Sequence, residues 1–296
     1  MRSNWFFIIA IIITAQALLS MVLPAYSMTT TYGTSTSDNW INAMKWFREE
    51  TPECTVVATW WDPGHLITQL GERKVTNDGA TQIGRVAQEI GRTLLTENET
   101  EALSILKNYL GNCSDMYYIA SSDLIGKSTA WSYLATWDPE TRTGRPSSYA
   151  IASVEDPNTN PPRIIQGQNA IAYKYPLGDG NAFVLIENQT SLRPFLLQMG
   201  NYYEIKNLAI FYNNTVLETK NPDAPIEGTL WVSPPVSYGQ AHLYPEVVYM
   251  PPELDHSMFT EMYFYSGVNL KHFKLVENFG NEVKIFKVDF EGISSS

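Results

Sequence analysis

The sequence predicts an α/β core domain with an inserted or appended β-rich subdomain, preceded by one N-terminal transmembrane helix. Three observations carry this reading. The chain opens on an uncharged apolar stretch, helical and strand periodicities then alternate to about residue 137, and short β-prone runs broken by Gly, Asn and Pro follow. At 296 residues, 44% of them hydrophobic and 12% aromatic, the chain has length for about two domains and material for packed cores, which excludes a disordered or collagen-like polymer. The net charge of −11, with no run of basic residues, argues against a nucleic-acid partner.

After Arg2 no charged side chain occurs until Asp38. Trp5 to Leu23 is broken only by Thr14, Gln16 and Ser20, and as a helix it nearly spans a hydrocarbon core of about 30 Å, with Trp5 and Tyr26 as interfacial anchors. The competing reading is a secretory signal peptide, with Met1-Arg2 as the charged region and Phe6 to Leu19 as the apolar one. Either places the rest of the chain outside the cytoplasm. Four Asn-x-Ser/Thr triplets, at Asn98, Asn112, Asn188 and Asn213, agree with that, although chance supplies about one or two. The expected organisation is a membrane helix or signal peptide over 1–27, a polar linker over 28–37, the α/β core over 38–137, a turn-rich insertion and β-domain over 138–248, and a return to the core over 249–296.

Within the core, Trp40, Met44 and Phe47 recur at helical spacing behind the capping candidates Ser37 and Asp38, and Pro52 closes that helix. Val56 to Trp60 reads as a buried strand. Ile83, Val86, Ile90 and Leu94 mark one helix, and Leu103, Leu106 and Leu110 mark a second that Gly111 stops. Met116 to Ala120 is the next strand, and a helix capped by Ser122 or Asp123 runs to about Tyr133. Ala182 to Ile186, Leu208 to Tyr212 and Thr229 to Val232 are strands of the β-domain. Leu254, Met258 and Met262 then share a late helix face, and Gly280-Asn281 turns a closing hairpin of Leu270 to Val276 and Val283 to Phe290. A disulfide between Cys54 and Cys113 is open, because both precede predicted strands that bring them close only if the strands are neighbours. His65, His242, His256 and His272 have no paired ligand spacing, so no metal site is expected on this chain.

The segment that stands out is Trp60-Trp61-Asp62-Pro63-Gly64-His65, where the first strand ends and a short helix begins. Ligand sites in α/β sheets lie at such carboxyl ends. A purely structural reading makes Asp62 the N-cap of a helix from Gly64 to Leu70, with Pro63 in its first turn. Two adjacent Trp resist that reading, since on a strand they face opposite ways. Indole N–H groups only donate and an ionised carboxylate only accepts, so together they suit a group that does both, such as a hydroxyl. Asp62 with His65 as an acid/base pair is a third reading, without an evident nucleophile. Glu49-Glu50 and Glu97 to Glu101 read as solvated helix surface.

Trp60, Trp61, Asp62 and Gly64 resemble the Trp-Trp-Asp-Tyr-Gly signature of oligosaccharyltransferase catalytic subunits, most closely their archaeal forms; Pro63 departs from the family's Tyr. The resemblance runs from Asp38 onward and is weakest between Pro139 and Leu243. It implies that the two Trp and the Asp hold the hydroxyl of the Ser or Thr two residues after the acceptor Asn. A second family motif, an Asp and a Lys on a kinked helix, has its counterpart in Asp123, Lys127 and Trp131, with three residues between Asp and Lys where the family has two. The alternative is that Asp123 caps the helix and Lys127 is solvated. The resemblance further implies acceptor peptides and a lipid-linked oligosaccharide as partners, and Mn or Mg held by a many-helix membrane domain. With one apolar segment and no catalytic residues of its own, the chain is expected to be a fragment, a truncated gene product or half of a split enzyme, inactive alone. The rival functions are a single-pass or secreted surface protein with a structural Trp-Trp-Asp, and a secreted hydrolase using Asp62 and His65.

Overall fold

The computed structural model describes residues 36–292 except 83, 156–160, 166–168 and 239–240, together with Thr14, Gln16 and Ser20, which are helical and exposed. The expected transmembrane helix or signal peptide therefore lies essentially outside the described residues, as does most of the linker. Among the described residues no helix is long and apolar enough to cross a membrane.

Helix α1 (Asp38–Glu50) starts as its sequence dictates: the Ser37 side chain accepts from the Trp40 N–H, and Ala43, Met44 and Phe47 form the buried stripe. Its last turn is held by the buried Arg73, whose guanidinium donates to the carbonyls of Arg48 at 2.9 Å and Thr51 at 2.7 Å. Strand β1 (Thr55–Ala58) leads through the Trp-Trp-Asp segment into helix α2 (Gly64–Gln69) and the short strand β2 (Lys74–Val75). Helices α3 (Arg85–Leu95) and α4 (Glu99–Leu110) follow, with Asn98 capping α4 and Gly111, at φ 59, ending it. Strand β3 is Asp115–Ser121. The single helix expected from Ser122 to Tyr133 is two: α5 (Asp123–Gly126) and α6 (Ser128–Ala135), parted at Lys127 with φ −96 and ψ 3, and Ser122 forms no side-chain cap.

Strands β1, β2 and β3 are parallel neighbours, and the closing hairpin joins the same sheet antiparallel to β3, giving a five-stranded sheet among the described residues. Alternation along β3 sorts the two faces. Tyr117 and Ile119 join Phe47, Val57 and Ile67 on the α1 side, while Met116, Tyr118 and Ala120 join Ile90, Leu103, Trp131 and Phe259 beneath the other helices. Thr55 pairs with Asp115, which sets Cys54 and Cys113 side by side, and they are disulfide-bonded with Cα atoms 5.1 Å apart.

The β-domain is a nine-stranded mixed sheet among the described residues: β4 (Ala150–Ser153), β5 (Arg163–Ile165), β6 (Ala170–Gly178), β7 (Asn181–Glu187), β8 (Leu192–Gln198), β9 (Asn201–Tyr212), β10 (Thr215–Lys220), β11 (Ile226–Val232) and, beyond the small β12 (Val236–Tyr238) and β13 (Ala241–Leu243) ladder, β14 (Glu246–Met250). The long β9 pairs with β8 through its first half and with β10 and β11 through its second. Ala209, Val248 and Met250 from this sheet pack into the same cluster as Trp60 and Trp131, so both sheets share one helical layer. The late helix is also divided, into α7 (Pro252–Asp255) and α8 (Met258–Tyr263), because Ser257 breaks the register and caps the second piece. Strands β15 (Phe273–Phe279) and β16 (Val283–Val288) close the first sheet through a turn with Gly280 at φ 62 and Asn281 at φ 57, as Gly-Asn requires.

Candidate functional site

The carboxyl ends of β1 and β3 present their following residues on one rim of the sheet. β1 delivers Trp60, Trp61 and Asp62; β3 delivers Asp123 and, one short helix later, Lys127. The Lys127 ammonium bridges the two acids, 2.9 Å from Asp62 Oδ1 and 2.6 Å from Asp123 Oδ2. Half-burial works against its charge, and the two carboxylates outweigh this, so its pKa is held above the ordinary lysine value. The break between α5 and α6 falls on the residue that reaches across to Asp62.

This geometry removes the plain capping readings. Pro63, not Asp62, occupies the N-cap of α2, and no side chain bonds there. Asp123 pairs with Lys127 instead of serving only as a cap, and Lys127 is paired, not free in solvent. The Asp62–His65 pair is also corrected: His65 Nδ1 faces Asp78 Oδ2 at 3.8 Å, while Asp62 turns to Lys127. A hydrolase built on that dyad loses its geometry.

The two Trp lie beyond the end of β1, so strand alternation does not apply to them and the expectation that they face opposite ways is corrected. Trp60 is 1% exposed within the core, and the half-buried Trp61 packs on the same cluster, with ring centroids 6.4 Å apart. Among the described residues neither indole N–H has a hydrogen-bond partner, and neither does Asp62 Oδ2. Trp131 is placed differently: fully buried, it donates from Nε1 to the Leu124 carbonyl at 2.9 Å and packs on Tyr149 and Phe259, supporting the α5–α6 break from below.

Gly64 is required by a close approach. A Cβ there would stand 2.5 Å from the Asn77 carbonyl oxygen and 2.6 Å from the Asp78 Cα. The loop after β2 therefore presses on the motif, a feature missed in the sequence. Thr81 Oγ1 donates to Asn77 Oδ1 and accepts from the Asp78 N–H, which fixes this loop. Its Asn-Asp-Gly run directly after a strand was the available signal. The acids nearest the motif share an ammonium, and among the described residues no three His, Cys, Asp or Glu side chains gather to hold a metal. Among the described residues this rim offers no ligand set for a metal ion.

Parallel strands backed by helices and a second large sheet define an α/β domain, and its polar, partly buried cluster lies at the carboxyl ends where such sheets bind ligands. No family model matches the chain. In structure it is similar to the C-terminal domain of PglB from C. jejuni, with TM-score 0.52 and 14% identity over 84% of this chain and 99% of that one, a likeness that establishes the fold. In sequence it is similar to the dolichyl-phosphooligosaccharide-protein glycotransferase of Methanococcus voltae, 35% identical over 109 residues, and to that of Methanocaldococcus jannaschii, 30% identical over 96 residues. These stretches are 37% and 32% of this chain but only 11% and 10% of the relatives, so the match spans about a tenth of their length. The chain is similar in sequence to archaeal dolichyl-phosphooligosaccharide-protein glycotransferases and has the fold of the PglB C-terminal domain.

Proposed function

We propose that this chain is the extracytoplasmic C-terminal part of an oligosaccharyltransferase, a glycosyltransferase of protein N-glycosylation, and that it recognises the acceptor Ser or Thr. The Trp60 and Trp61 indoles donate to the peptide hydroxyl, and the hydroxyl donates to Asp62 Oδ2. Lys127 orients Asp62 through Oδ1, Asp123 positions Lys127, and Gly64 lets the loop behind the motif close on it. The observation that carries this is the adjacency of the Trp60–Trp61 pair, ring centroids 6.4 Å apart, to Asp62, whose Oδ1 alone is held by Lys127 at 2.9 Å. A site built to bond a hydroxyl rejects a side chain without one, because its own buried polar groups are then left unpaired.

In this reading residues 5–23 anchor the chain in a membrane, and a membrane domain supplies the lipid-linked oligosaccharide and any Mn or Mg. Release by alkaline extraction would argue against the anchor. The function is tested by binding Asn-x-Thr and Asn-x-Val peptides to the chain joined to a membrane domain. Val matches the shape of Thr without its hydroxyl. The Thr peptide should bind at least about tenfold more tightly, as loss of roughly 1.5 kcal/mol of hydrogen bonding to a charged group implies. Equal binding would sink the assignment.

A further inference from the structure

We propose that Asn188 is an acceptor of N-linked oligosaccharide in the folded chain, and that the fold withholds the other three sequons. The four triplets are equivalent in sequence and differ in what each must break to enter a transferase site. A transferase has to draw the triplet away from its own surface, so the acceptor is the exposed triplet that lies outside every ladder, bridge and helix cap.

Asn98 caps α4, accepting from the Thr100 and Glu101 N–H groups. The middle residue of its triplet, Glu99, accepts from the backbone N–H groups of Lys271 and His272, tying the triplet to a distant segment. The Asn112 triplet has Cys113 at its centre, buried and bridged to Cys54, and Ser114 donates its hydroxyl to Asp115. Asn213 and Asn214 form a two-residue turn with φ 51 and 57, and Thr215 is already paired with Tyr212 in the β9–β10 ladder. The first two triplets are tied to distant segments, and the third, though exposed, has its Thr215 held in a ladder.

Asn188, Gln189 and Thr190 are all exposed, in the four-residue loop between β7 and β8. Among the described residues every hydrogen bond of the loop stays within it. The Asn188 N–H donates to the Ser191 carbonyl at 2.9 Å, and Asn188 Oδ1 accepts from the backbone N–H groups and hydroxyls of Thr190 and Ser191. Asn188 Nδ2, the atom that reacts, has no partner among the described residues. The loop can lift without disturbing a ladder, a bridge or a helix cap.

The transfer takes an oligosaccharide linked to a lipid phosphate or diphosphate and needs a separate enzyme, so the proposal does not rest on this chain's own function. A bond forms from Asn188 Nδ2 to the anomeric carbon, and the bond from that carbon to the phosphate oxygen breaks. The lipid phosphate leaves with the electron pair, and Nδ2 gives up a proton to the enzyme's base.

The test offers the full, unglycosylated and oxidised chain to an oligosaccharyltransferase with its lipid-linked donor, and reads intact mass. One oligosaccharide should add. The addition should vanish in Asn188→Gln and in Thr190→Ala, and persist in Asn98→Gln, Asn112→Gln and Asn213→Gln. Reduced and alkylated chain should gain more than one. A synthetic peptide covering residues 186–192 serves as the positive control. If that peptide is modified and the folded chain is not, or if the folded Asn188→Gln chain still gains a glycan, the proposal is overturned.

Discussion

Lys284 is 6% exposed on β16, with Nζ donating to the Tyr263 carbonyl at 2.7 Å and to Ser266 Oγ at 3.0 Å. It closes the C-terminal end of α8, and the Tyr263 ring lies 5.2 Å from the ammonium. Burial without a carboxylate partner among the described residues lowers its pKa to about 8, against 10.5 for an ordinary lysine. Between those values the unfolded chain holds more protons than the folded one, so stability should rise as pH rises through the window. Below it the folded state carries the full cost of the buried charge, roughly 3 kcal/mol at about 1.4 kcal/mol per unit. Denaturant unfolding of the parent and of Lys284→Met from about pH 8 to about pH 10 should converge with a clear slope. Parallel curves would refute the buried-charge account. Lys284 was invisible as a special residue in the sequence, because a lysine in a strand pattern normally faces solvent and only the packing of α8 onto β16 covers it. Asp62 was legible as chemistry, since two indoles and an acid at a strand end make an unusual set. Its partner Lys127 was legible only through a family motif with altered spacing, and the ion pair itself is tertiary.

At the scale of elements, the parallel pairing of β1 and β3 brings Cys54 beside Cys113 at the end of the sheet opposite the Trp-Trp-Asp rim, closing a 59-residue separation. Removing the bridge with Cys54→Ser and Cys113→Ala should cost roughly 2 to 4 kcal/mol, seen as a lower denaturant midpoint. An unchanged midpoint would mean the sheet alone holds these strands. Helices α1, α3 and α4 and strands β1 and β3 were readable from apolar periodicity and caps, because those signals are local. Two helices that read as continuous are broken, at Lys127 and at His256-Ser257, since periodicity persists across a break that tertiary contacts impose. The β-domain was readable as short strands and not as one nine-stranded sheet. The parallel contact of β9 with β11, across the intervening β10, has no local signal.

At the scale of the whole molecule, two sheets share one helical layer, and the rim carrying Asp62, Asp123 and Lys127 stands where the parallel strands end. A rigid platform of this kind holds a few polar groups in fixed geometry, which recognition of one hydroxyl requires. The central claim is that Asp62 reads the hydroxyl. The most direct measurement is the preference for Asn-x-Thr over Asn-x-Ala peptides by Asp62→Ala, in the chain joined to a membrane domain, with thermal stability followed in parallel. Because Pro63 holds the N-cap position and Asp62 caps nothing, melting should change little. Glycosylation of the Thr peptide should fall about tenfold to a hundredfold and the Thr preference should collapse. Trp60→Phe and Trp61→Phe, which delete one donor each, should cost less. An Asp62→Ala enzyme that discriminates Thr from Ala as sharply as the parent would contradict the account.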